Sequence, residues 1–189
     1  MFAVRIHGRG GQGVVTAAEL LSLAAFADGL EAQAFPSFGS ERMGAPVVAF
    51  CRIDEHPIRL REPIAEPDAV VVQDPTLLHH VQVFEGLGDQ GYVLINSSRT
   101  IDQLGLTELE HRHRRERIAT VPAGELARAR LGRPIPNAAL LGALVALTGV
   151  VSLASLQRAI GDRFHGAAAT GNAAAAGDAY EHLREPAHA

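Results

Sequence analysis

Lysine is absent from the 189 residues, so all 17 basic side chains are arginine. Schiff-base lysine chemistry and a P-loop phosphate lysine are excluded with it, and the chain is no P-loop NTPase. Cysteine occurs once, at Cys51, too few for an internal disulfide, an iron–sulfur cluster or a cysteine zinc site within this chain. A reducing compartment is expected. Positive charge is not in excess either: 21 acidic residues give a net charge of −4. Without a basic face to release phosphate counterions, no nucleic-acid partner is expected. No apolar run approaches the ~20 residues that cross a bilayer, and Met1 to Arg9 lacks the layout of a signal peptide. The expectation is a cytoplasmic protein with no membrane partner.

What is present suits one core. Hydrophobic residues make up 47% and charged residues 20%, and no internal repeat or long linker divides the chain, so a single domain over residues 1–189 is expected. Phe2 to His7 alternates apolar and polar and runs into Gly8-Arg9-Gly10-Gly11-Gln12-Gly13, which reads as a strand ending in a tight turn. From Val14 to Asp28 apolar residues recur at helical spacing, with Gly29 as a left-handed residue after the helix. Ala32 to Phe35 is a short apolar stretch, and Pro36 to Pro46 is too rich in Pro, Gly and Ser for a helix, which makes it a functional-loop candidate.

Val47 to Ile53 and Pro57 to Leu60 flank Asp54-Glu55-His56 as a β-hairpin would. Ala69 to Val72, Tyr92 to Asn96 and Ile118 to Val121 read as buried strands, with helices over Thr76 to Phe84 and Gly124 to Leu131 between or after them. The last third predicts helices over Asn137 to Leu147, Leu153 to Phe164 and Asn172 to Leu183, capped by Asn137, Ser152 and Asn172. The alternation predicts an α/β fold in three layers, with a mainly parallel sheet, a β-hairpin and C-terminal helices.

Gly8, Gly10 and Gly13 fit G-x-G-x-x-G between strand and helix, where bare amides and a helix N-terminus can cradle a phosphate. The alternative is that they only permit close packing of strand on helix. The acidic residue expected for a ribose about 20 residues on is missing: Gln33 to Ser37 contains none, which disfavours a standard NAD site. Asp74 either points into a ligand crevice or begins the turn at Pro75. His79-His80 and His111/His113 lack a third ligand at metal-site spacing, and Cys51 sits in a strand as an inert core thiol. The run His111 to Arg117 is either a contact for an acidic electron carrier or a solvated loop or strand edge.

Two blocks carry a family resemblance. Arg5-Ile6-His7-Gly8-Arg9-Gly10-Gly11-Gln12-Gly13-Val14-Val15-Thr16-Ala17 resembles the opening of the gamma subunits of pyruvate and ketoisovalerate:ferredoxin oxidoreductases. The segment Ala32 to Val47, with Phe38-Gly39-Ser40-Glu41-Arg42-Met43-Gly44-Ala45 at its centre, is similar to that family's second signature, and weaker similarity runs on at Pro67-Asp68, Asp74 and Pro136-Asn137 with its following helix. Leu104 to Arg117 matches no pattern of the family.

The resemblance implies a multi-subunit enzyme that turns a 2-oxoacid and coenzyme A into acyl-CoA and carbon dioxide, passing electrons to ferredoxin. Thiamine diphosphate, Mg and 4Fe-4S clusters would then belong to companion alpha, beta and ferredoxin-like delta subunits or their fused equivalents, and this chain would make no bonds itself. It also implies that Gly8, Arg9, Gly10, Gly11, Gln12, Gly13, Ser40, Arg42 and Gly44 face the nucleotide end of coenzyme A. Arg9 and Arg42 are planar bidentate donors suited to its phosphates, or else members of surface ion pairs. Alternative readings are the beta subunit of an indolepyruvate oxidoreductase, a free-standing nicotinamide-dependent reductase and a purely structural assembly subunit.

Overall fold

The computed structural model describes residues 1–37 and 43–185. Six strands form one sheet: β1 (Phe2–Arg9), β2 (Glu31–Pro36), β3 (Pro46–Asp54), β4 (Ala69–Val72), β5 (Tyr92–Asn96) and β6 (Ile118–Val121). Their spatial order is β2-β3-β1-β4-β5-β6. The run from β1 through β4 and β5 to β6 is parallel, and β3 joins it antiparallel to β1. The hairpin of the fold is β2 with β3, paired from Glu31 opposite Asp54 to Pro36 opposite Ala49. Pro57 to Leu60, expected as its second arm, is not a strand. β3 already has β1 on one side and β2 on the other, so no free edge remains to pair with residues 57–60.

The helices are α1 (Val14–Ala27), the short α2 (Thr107–Arg112), α3 (Ala123–Leu131), α4 (Asn137–Thr148), α5 (Leu153–Arg163) and α6 (Gly166–Arg184). All but α2 cover one face of the sheet, where Val4, Ile6, Ala49, Cys51, Val71 and Leu94 meet their side chains in one continuous core. α4 is buried on every side from Asn137 to Val145, as a helix apolar all round must be. The alanine run of α6 lets that helix lie close: a Cβ on Gly142 of α4 would stand 1.9 Å from Ala176 O.

The opposite face is a thinner layer of turns and α2, in which Leu77, Val83, Leu87 and Ile101 close over Val70, Val72, Val93 and Ile95. Buried Arg5 ties this layer to the sheet, donating to Ile64 O (3.4 Å), Val83 O (3.0 Å) and Glu85 O. The helix expected over Thr76 to Phe84 is only a 3-10 turn, Pro75–His79. Past it the backbone bonds are short-range, Val83 N to Val81 O (2.9 Å) and Glu85 N to Gln82 O (3.1 Å), so the segment runs on as successive turns.

Ser152 caps α5 as expected, its Oγ accepting from Ser155 N at 3.1 Å. The other two caps differ. Asn137 is the first residue inside α4, following Pro136, and Asn172 lies within α6, which starts at Gly166 and where its Nδ2 donates to Ala168 O at 2.8 Å. The His111 to Arg117 run is not an open loop: it spans the end of α2 and a 3-10 turn, His113 is buried, Arg112 pairs with Asp89 at 2.8 Å and Arg117 stacks on the Tyr92 ring. Among the described residues no helix is long and apolar enough to cross a membrane.

Candidate functional site

The glycine loop sits where β1 hands over to α1, at the C-terminal edge of the parallel strands. Each of three glycines has a physical reason. A Cβ on Gly8 would meet Val14 Cγ2 at 2.6 Å, one on Gly11 would meet Met43 Sδ at 2.6 Å, and one on Gly13 would meet Asn137 Nδ2 at 2.5 Å. Gly11 and Gly13 also hold φ of +92° and +73°, which L side chains disfavour. Packing therefore accounts for these three positions of the motif.

Three loop N–H groups are engaged within the chain. Arg9 N donates to Gln12 Oε1 (2.8 Å), Gly10 N to Ala45 O (2.9 Å) and Gln12 N to Arg9 O (3.1 Å). Gly44 N returns a bond to Gly10 O at 3.1 Å, and Gly10 bridges to Met43, so the second loop is stitched to the first. The N–H groups of Gly11, Gly13, Val14, Val15 and Thr16 find no acceptor among the described residues, and α1 has no side-chain cap. These amides and the positive end of α1 line an open hollow of about 330 Å³ between Arg9 and Val47.

Arg9 is held at its rim. Its Nε is 3.2 Å from Asp74 Oδ2, Nη2 donates to Thr76 Oγ at 2.8 Å and Nη1 to Gly44 O at 3.0 Å. A guanidinium has five N–H groups, so two remain for a ligand. Gln12 completes the frame by donating Nε2 to Asp74 Oδ2 at 2.9 Å. Burial raises the Asp74 pKa, but the Thr76 hydroxyl, the Gln12 amide, the Thr76 N–H and the Arg9 charge more than offset it, and the carboxyl lies below its usual range.

Asp74 thus begins the turn at Pro75 and also braces the loop; both readings of it hold. Thr76, which sequence reasoning passed over, was marked only by its place in Asp-Pro-Thr. Ser40 and Arg42 lie outside the described residues, and Gly44 turns at φ +80° beside the loop.

Among the described residues no poised acid, base or nucleophile stands nearby. His7 is buried below the loop, and desolvation, with the Arg5 charge added, pushes its pKa down to about 4. Burial pushes the Cys51 thiol up to about 12. Among the described residues no group of three or more His, Cys, Asp or Glu could hold a metal ion. The chemistry available is anion binding. In the standard dinucleotide order the acid ends a parallel strand 2 beside β1; here antiparallel β3 takes that place, and its loop end opposite Gly8 and Arg9 is Val47 and Pro46, with no acid.

The profile of the pyruvate ferredoxin/flavodoxin oxidoreductase family matches residues 3–182. The common gamma subunit of the pyruvate/ketoisovalerate oxidoreductases of Pyrococcus furiosus is 49% identical over 181 residues, 96% of each chain. The PorC subunit of pyruvate synthase from Methanothermobacter marburgensis is 47% identical over 184 residues, 97% of this chain and 98% of that one. Among solved structures, the pyruvate oxidoreductase subunit PORC of Thermotoga maritima superposes with a TM-score of 0.79 at 35% identity, covering 95% of both chains. The 2-oxoglutarate:ferredoxin oxidoreductase of Magnetococcus marinus, determined with 2-oxoglutarate, coenzyme A and succinyl-CoA bound, has a TM-score of 0.68 at 16% identity over 97% of this chain and 30% of its own, a likeness of fold. By sequence, by the glycine loop and by the sheet that carries it, this chain belongs to the pyruvate ferredoxin/flavodoxin oxidoreductase family, as a gamma (PorC) type of subunit.

Proposed function

We propose that this chain serves a thiamine diphosphate-dependent 2-oxoacid:ferredoxin oxidoreductase by holding coenzyme A while companion subunits carry out oxidative decarboxylation to acyl-CoA and carbon dioxide. The observation that carries the reading is the row of N–H groups at Gly11, Gly13, Val14 and Val15 that no described residue engages, beside an arginine with two donors not used by the described residues. A pyrophosphate fits such a cradle: backbone amides meet its oxygens without a side chain in the way, and the α1 dipole favours its charge.

In this reading the whole chain, residues 1–189, acts as one gamma-type domain. The ligand-facing set is Gly8, Arg9, Gly10, Gly11, Gln12, Gly13, Ser40, Arg42 and Gly44. Gln12 acts as a brace, since its Oε1 accepts from Arg9 N within the loop and its Nε2 donates to Asp74 beyond β4. Thiamine diphosphate, Mg and the 4Fe-4S clusters reside in alpha, beta and delta-type partners, ferredoxin accepts the electrons, and the complex works in the cytoplasm. The single buried thiol agrees with clusters held elsewhere.

Steady-state kinetics of the assembled complex test this. Arg42→Ala and Arg9→Ala should each raise the KM for coenzyme A roughly ten- to a hundredfold, the scale of one charge-assisted phosphate contact, while the oxoacid KM stays nearly constant. The chain alone should reduce no dye with oxoacid. If neither arginine alters coenzyme A kinetics in an intact complex, the loop is a packing device.

A further inference from the structure

Sulfur occurs in this chain only in Met1, Met43 and Cys51. Cys51 is buried in β3 with its thiol pushed up to about 12 by burial, so it offers nothing to a reagent in solution. The two thioethers are open. Met1 precedes β1, its amino group 3.0 Å from Asp54 Oδ2, whereas Met43 stands beside Gly10, where β1 has given way to the glycine loop. Between them β1 spans eight residues, roughly 26 Å of extended chain. Met43 is 89% exposed, more than any other large apolar side chain among the described residues.

That exposure is not the exposure of a loose side chain. Gly10 and Met43 form a β-bridge, Gly44 N donates to Gly10 O at 3.1 Å and Gly10 N donates to Ala45 O at 2.9 Å, so the backbone from Met43 onward is pinned to the loop. Met43 Sδ and Cε lie 2.6 Å and 3.7 Å from the place of a Cβ on Gly11, so the thioether rests on that bare glycine. Two donors adjoin it. The Gly11 N–H has no acceptor among the described residues, and Arg9, whose Nη1 donates to Gly44 O at 3.0 Å, holds its guanidinium one residue from Met43. A thioether is a weak acceptor and leaves such donors to a ligand.

We propose that Met43 is a modification site for hydrogen peroxide, and that its sulfoxide regulates the glycine loop by taking up donors that would otherwise meet an anion. The proposal rests on the coenzyme A reading of that loop and adds regulation to it. A lone pair of Sδ attacks one peroxide oxygen; the S–O bond forms as the O–O bond breaks, the sulfur is oxidised by two electrons, and the peroxide is reduced to water. The apolar sulfur over Gly11 thereby becomes a polar group with an oxygen acceptor. That oxygen accepts from the Gly11 N–H or from Arg9, and an incoming phosphate has to displace it. A methionine sulfoxide reductase drawing electrons from thiols reverses the step and releases the oxygen as water.

Calorimetric binding of coenzyme A to the assembled complex, before and after mild treatment with hydrogen peroxide, tests it, with peptide mass spectrometry to locate the added oxygen. Met43 should gain one oxygen, and the Kd for coenzyme A should rise roughly three- to tenfold, the scale of one internal hydrogen bond that the ligand must break. Treatment with the reductase should restore it. Met43→Leu forms no sulfoxide, so its complex should keep its affinity within about twofold through the same treatment, which separates Met43 from damage elsewhere. Met43→Gln carries a polar acceptor at the same place and should weaken coenzyme A without peroxide. Oxidation of Met1 alone should change nothing.

If Met1 gains oxygen and Met43 does not, the modification site is overturned. An equal loss of affinity in the wild-type and Met43→Leu complexes would overturn the regulation. If Arg9→Ala weakens coenzyme A and oxidation of Met43 does not, the loop reading stands and the regulation falls. If Arg9→Ala leaves coenzyme A binding unchanged, the loop reading itself fails and takes this proposal with it.

Discussion

Arg9 Nε lies 3.2 Å from Asp74 Oδ2, so the cation of the glycine loop is anchored by the carboxylate that follows β4. Asp74 accepts in addition from Gln12, from the Thr76 N–H and from the Thr76 hydroxyl, while Arg9 remains partly exposed. The carboxylate is therefore the keystone of the pair, and the arginine is the part left available. Asp74→Ala is expected to lower the unfolding free energy by about 1–3 kcal/mol, and Arg9→Ala by less than about 1 kcal/mol, measured by urea denaturation. Equal losses would mean that the ion pair, not the hydrogen-bonded carboxylate, holds the loop.

Gly142 and Gly161 make a contrasting pair of helix glycines. Alanine at 142 would place Cβ 1.9 Å from a backbone oxygen of α6, which can yield only if the two helices part. Gly142→Ala should cost roughly 3 kcal/mol or more. Gly161, in α5, has nothing within 4 Å of its Cβ position and no positive φ. Gly161→Ala should stabilise by about 0.5–1 kcal/mol through helix propensity and the unfolded chain. Thermal melts of the two variants should move in opposite directions.

His7 makes stability depend on acid. Its folded-state pKa is pushed down to about 4 by desolvation and the Arg5 charge, from an ordinary value near 6.5. Between those values the unfolded chain binds a proton that the folded chain refuses, so stability falls as pH drops through that window. Above about 6.5 the effect vanishes. The full loss is ~3 kcal/mol, and His7→Gln should flatten the profile between pH 7 and pH 4. A wild-type profile as flat as the variant's would show that His7 titrates normally.

Cys51 is buried in β3, its thiol pushed up to about 12 by burial. Ellman's reagent at pH 8 should find roughly one thiol per chain in denaturant and almost none in the folded protein. Rapid reaction of the native chain would place Cys51 at an accessible surface.

Much of the fold was legible in local sequence. The alternation of Phe2 to His7, the turn at Gly8 to Gly13 and the apolar spacing of α1 are properties of neighbouring residues, and each emerged within a residue or two of its expected bounds. The two signature blocks likewise carry the family in local sequence. Pairing partners were another matter. Pro57 to Leu60 follows a plausible three-residue turn, yet both edges of β3 are taken by strands whose nearness is a tertiary fact. Thr76 to Phe84 has helical spacing, yet it closes over β4 and β5 as successive turns, with Leu77 and Val83 packed on the sheet.

The site divides in the same way. Chain composition alone determined that the permanently charged side chains able to meet an anion here are all arginine, because there is no lysine, and that one cysteine is too few to ligate a cluster by itself. Which donors are free was decided only by folding. Gln12 and Arg9 look equivalent in sequence, but Arg9 N and Asp74 between them engage both ends of the Gln12 amide, while Asp74 engages the Arg9 guanidinium in part. Asn137 reads as a helix cap until α4 packs against Gly13 and turns its amide over the loop. Local propensity writes the elements, whereas the engagement of a polar group depends on what distant segments bring within about 3 Å of it, and no spacing rule along the chain encodes that.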